Sequence, residues 1–144
     1  MENEGEIVMS DFTRETAVDR LYDLQHDLAK YIRMPLAFLP SHATPDEVRV
    51  ALQRALRTTY RRAEDVLPAS MLWQQCADSL PEAVRAHASF ERLERVVERA
   101  LAWDAAIDDV RVTIDRNRVL GDFGAITAAI DLLIADVEHH AGSS

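Results

Sequence analysis

The sequence predicts an all-α fold, an elongated antiparallel four- or five-helix bundle with one long central helix. Three observations carry that expectation. Leu93, Val96, Ala100, Trp103, Ile107, Val110 and Ile114 recur at alternating spacings of three and four, a helix seam kept over three heptads. Glycine is scarce, with four in 144 residues, which suits helices better than sheets. Thr44-Pro-Asp-Glu47 and Ser79-Leu-Pro-Glu82 both spell the capping box that opens a helix.

The first helix is expected to start after Ser10 or Asp11 and to run to about Arg33. Ala17, Leu21, Leu24, Leu28 and Tyr31 form its seam, and Glu15, Asp19, Asp23 and Asp27 point away. Pro35, Pro40 and Pro45 then break the pattern, because each lacks an amide donor and disfavours helical geometry in its predecessor. A connector of about ten residues follows from that. The second helix opens at Thr44, with Pro45 in the first helical position and Val48, Leu52, Ala55, Leu56, Thr59 and Ala63 facing inward, and Pro68 ends the stretch. A short third helix spans roughly Ala69 to Ala77.

The fourth helix opens at Ser79-Leu-Pro-Glu82 and can continue to about Val119, where Gly121 stops it. Unbroken from Pro81 to Arg118 it would be about 57 Å long. A compact domain of this size is only about 37 Å across. Either this helix breaks, near Ser89, or the molecule is elongated. Phe123, Ile126, Ile130, Leu133 and Val137 give a fifth helix. The domain so defined spans residues 10–140, with a flexible N-terminal extension at 1–9 and a disordered tail at 141–144; Met9 reads as a second possible start.

Composition narrows the function classes. The net charge of -9 opposes loose attraction to nucleic acid or anionic lipid, so any nucleic-acid contact has to be local. No stretch approaches the roughly 20 apolar residues of a membrane span, and the acidic start is unlike a secretory signal. One cysteine, Cys76, cannot form an internal disulfide, which agrees with a reducing compartment. A cytoplasmic location is expected.

No stretch carries a persuasive catalytic, metal or phosphate motif, and no cofactor is expected. Asp23-Leu-Gln-His26 and Asp136-Val-Glu-His139 have the carboxylate-x-x-His spacing of di-iron bundles, but the seam puts His26 on the far side and His139 in a terminal turn. His26-Asp27-Leu28 opens like a phospho-acceptor box, and neither its continuation nor a glycine-rich nucleotide motif follows. Glu91, Glu94, Glu98, Asp104 and Asp108 all lie on one expected helix with arginines interleaved, which reads as a solvated face rather than a magnesium site.

Two features point to partners. Arg54, Arg57 and Arg61 recur at i, i+3 and i+7 on the second helix, with Arg49, Arg62 and Tyr60 at the margins, forming a basic stripe suited to carboxylates or phosphates. The same stripe can instead pair with acidic faces of the protein itself. Met34-Pro-Leu-Ala-Phe-Leu-Pro40 is apolar for a connector, so it either caps the bundle end or presents Phe38 and Leu39 to a partner.

The function these features favour is a non-catalytic cytoplasmic interaction or regulatory module acting by self-association, as a homodimer, and by docking a protein partner. The alternatives are a helical nucleic-acid-binding protein using the arginine stripe, which the net charge disfavours, and a small helical hydrolase or phosphotransfer domain whose reactive groups converge only in space.

Overall fold

A computed structural model of the chain describes residues 9–59, 69–105 and 107–142. All regular structure among the described residues is helical, with no strand among them: α1 (Asp11–Leu28), a π-helical turn (Ala29–Arg33), α2 (Met34–Ala37), α3 (Pro45–Thr59), α4 (Ala69–Ser79), α5 (Glu82–Arg85), α6 (Ala88–Ala100), α7 (Ala102–Ala105) and α8 (Arg116–Gly142). Ala141 and Gly142, expected in the tail, belong to α8. Met9, expected in the N-terminal extension, is partly buried against the core.

Ser10 caps α1 by accepting the Thr13 amide at 3.1 Å. The predicted seam is the buried one, with Ala17, Leu21, Leu24, Leu28 and Tyr31 all in the core. The expected end at Arg33 is not. The chain stays helical to Ala37 through the π turn, in which the Met34 amide bonds to the Ala29 carbonyl five residues back. Proline at 35 would drive its ring into the carbonyl of Tyr31 in a regular α-helix. A wider turn just ahead of it relieves that clash. The same widening lets two consecutive side chains, Tyr31 and Ile32, both reach the interior. The connector is therefore shorter than predicted.

The Thr44 box forms as read. Thr44 donates its amide to Glu47 Oε1 at 2.8 Å, and the Glu47 amide bonds back to the Thr44 hydroxyl at 3.2 Å. The Thr44 amide, and after it the Thr44 hydroxyl, holds the Glu47 carboxyl below its ordinary pKa. Ser79-Leu-Pro-Glu82 does not make a second box. Ser79 is the last residue of α4 and donates its hydroxyl back to the Cys76 carbonyl at 2.6 Å, while Pro81 stands at the start of α5 with no side-chain cap. The break anticipated near Ser89 falls at Ala86 and His87, between α5 and α6.

The long fourth helix is the largest correction. It ends at Ala100, and after the single turn of α7 the chain from Ile107 to Asp115 is irregular. Val110, a member of the predicted seam, is 81% exposed. Val110, Val112, Thr113 and Ile114 are β-branched and favour helix weakly. Asp109 competes for the backbone, accepting the Arg111 amide and its guanidinium together. Residues of α3 complete the diversion, since Arg49 donates to the Val112 carbonyl and Gln53 to the Ile107 carbonyl.

Gly121 does not stop a helix. Both it and Gly124 lie inside α8, at 27 residues the longest helix among those described, roughly 40 Å. A methyl group at either position would meet nothing, so close packing does not require them. Each glycine costs about 1 kcal/mol against alanine, and burial of Ile126, Ile130, Leu133 and Val137 on the same helix outweighs that at about 1.5–3 kcal/mol a side chain.

One apolar cluster joins these elements. α8 lies along α6 and α1, α4 packs on α1 and α6, and α3 rests against the π turn and α2. Trp73 of α4 stacks obliquely on Phe90 of α6, with ring centres 5.8 Å apart.

Candidate functional site

α2 ends against the start of α8, and backbone hydrogen-bond demand explains how. The last carbonyls of a helix have no internal partner. Here Arg116, the first residue of α8, supplies donors to three carbonyls at once: Pro40 at 2.7 Å, Leu36 at 2.8 Å and Leu39 at 3.1 Å. The segment after α2 is thus pinned across the start of α8.

Within the apolar connector the two neighbouring side chains are placed differently. Leu39 is partly buried against the core. Phe38, 83% exposed, faces solvent. Met34, one turn earlier, is 51% exposed, and Lys30, Arg33 and Ala37 share the same exposed side of the helix. On the adjoining start of α3, Asp46 and Glu47 are exposed as well. A fixed apolar ridge therefore lies beside both signs of charge.

The arginine stripe is only partly recovered. Arg54 is exposed on α3 and Arg57 belongs to the same helix, while Arg61, with Tyr60 and Arg62, lies outside the described residues. Arg49, expected at the margin of the stripe, is buried at 6% exposure; its guanidinium reaches the Val112 carbonyl and lies 3.7 Å from Asp46. The overlooked signal was position, since Arg49 falls beside Val48 and one turn before Leu52, both fully in the core. Gln53 extends the same clamp, bonding Asp108 at 2.8 Å, and Gln25 ties α1 to Asp131 of α8 at 2.7 Å.

Two concavities also mark the surface of the described residues. One, of about 200 Å³, lies between α6, α7 and the first turns of α8 and is lined by Arg99, Trp103, Thr113, Asp115, Arg118 and Asp122. Sequence reasoning missed it because a single helix was expected to run through every one of these residues but Asp122. The other, about 170 Å³ and more open, lies between α1 and α4 beside Asp23, Asp27 and Cys76.

Cys76 is no nucleophile. Burial pushes its thiol up to about 11, and the S–H points to the Arg20 carbonyl at 3.7 Å. At pH 8 only about one molecule in a thousand carries the thiolate. Alkylation of the folded protein is expected to run about a hundredfold slower than in denaturant, and equal rates would refute that assignment. His26 and His139 are exposed on helix surfaces, and among the described residues no group of three or more His, Cys, Asp or Glu is placed to hold a metal ion. No helix among those residues is long and apolar enough to cross a membrane. Comparison of the chain with protein-family models, with curated proteins and with solved structures finds no match.

Proposed function

We propose that this protein is a non-catalytic helical interaction module of the cytoplasm that self-associates, as a homodimer, through the ridge formed by Met34 and Phe38. Phe38 carries the reading. A phenylalanine left 83% exposed on a backbone pinned by three hydrogen bonds from Arg116 retains an apolar surface that contact with a second copy would remove from water.

A second copy is the occupant favoured by charge. A two-fold interface has to be complementary to itself, because the same patch serves both partners. The ridge meets that condition, with Lys30 and Arg33 on one side and Asp46 and Glu47 on the adjoining helix start. Two chains of net charge -9 repel at long range, so local pairing of this kind is what would bring them together. The buried thiol of Cys76, with no second cysteine, suits a reducing compartment.

Sedimentation tests the reading directly. The 16.2 kDa chain is expected to behave as a dimer at micromolar concentration, and Phe38→Asp to return it to a folded monomer with the helical circular-dichroism spectrum of the wild type. A wild-type chain that stays monomeric, or a Phe38→Asp variant that still pairs, overturns it.

A further inference from the structure

The cleft between α6, α7 and α8 brings opposite charges together without letting them pair. Arg99 comes from the last turn of α6, Arg118 and Asp122 from the first two turns of α8, and Asp115 from the residue before that helix. Among the described residues no ion pair joins any two of them, and neither guanidinium has a hydrogen-bond partner. Asp115 is held in place by accepting the Arg118 amide on one carboxylate oxygen at 2.9 Å, which leaves its other oxygen uncommitted. Trp103 lines the same cleft, and its indole N–H is buried with no acceptor.

An anion alone would meet the two guanidiniums and be repelled by the two carboxylates. A cation alone would meet the reverse. A molecule carrying both charges a few ångströms apart satisfies both sets, and an aromatic face beside it favours the cationic end. A carboxylate seated between the arginines would be held in the fork geometry guanidinium prefers. At about 200 Å³ the cleft is smaller than a drug-sized site and holds roughly six or seven waters' worth of ligand. We infer that this cleft binds a small zwitterion of amino-acid size, with Arg99 and Arg118 on its carboxylate and Asp115 and Asp122 on its ammonium group.

The cleft shares no lining residue with the Phe38 ridge, and the inference stands whether or not the chain dimerises. Its test is titration of the full chain with each free α-amino acid at millimolar concentration, followed by calorimetry and by the indole N–H resonance of Trp103. At least one amino acid is expected to bind saturably and to move that resonance. Its N-acetyl derivative, which lacks the cation, and its amide, which lacks the anion, are each expected to bind about tenfold or more weakly. Arg118→Gln and Asp122→Asn neutralise side chains that make no hydrogen bond among the described residues, so both variants should fold and show the same loss. Absence of saturable binding by every amino acid overturns the inference, as does an N-acetyl derivative that binds as well as its parent or a pair of variants that bind as the wild type does.

Discussion

Leu93→Ala is expected to lower the unfolding free energy by about 2–5 kcal/mol, a large part of the stability of a domain this size. Leu93 is completely buried on α6, against which α8 lies. Truncation removes its transfer energy and leaves a cavity that two long packed helices close poorly. Val110→Ala is the informative partner. Both residues belong to one unbroken heptad series, and a continuous helix would make both substitutions costly. Val110 is 81% exposed on the irregular segment, so its replacement should stay within about 0.5 kcal/mol of the wild type. Urea denaturation of the two variants checks the contrast, and similar losses would restore the continuous helix.

That contrast shows what a linear pattern can and cannot carry. The α1 seam, the Thr44 box and the buried face of α8 were readable because their causes are local: apolar spacing, one hydroxyl, one carboxylate three residues on. The irregular segment from Ile107 to Asp115 was not. Its apolar residues keep helical spacing, yet its carbonyls are taken by Arg49 and Gln53, which lie more than fifty residues earlier in the chain. Pro35 failed as a stop signal for a related reason. One widened turn absorbs it, and the burial of Tyr31, Ile32 and Leu36 favours that turn over a break. The candidate surface divides in the same way. Phe38 stood out as an apolar residue between prolines, whereas the charged cleft exists only because the predicted long helix comes apart at Ala100.

Arg49 offers the sharpest test of that tertiary control, because among the described residues its guanidinium is the one charged group buried against the irregular segment. Arginine keeps its proton at any ordinary pH, so desolvation cannot be relieved by neutralisation. What compensates is the bond to the Val112 carbonyl, since Asp46, 3.7 Å away and 91% exposed, sits largely in water and contributes little. Arg49→Ala removes the donor, orphans the carbonyl and strips the packed stem, and is expected to cost about 2–4 kcal/mol. Arg49→Met keeps the stem and removes the charge, together with the Nε group that has no partner, so it should recover part of that loss. Asp46→Asn is expected to be nearly neutral. Amide exchange should rise from Ile107 to Asp115 in Arg49→Ala while the amides of α1 stay protected. An Arg49→Ala variant within about 0.5 kcal/mol of the wild type, with exchange in that segment unchanged, would mean that the segment holds its own shape and that α3 merely rests against it.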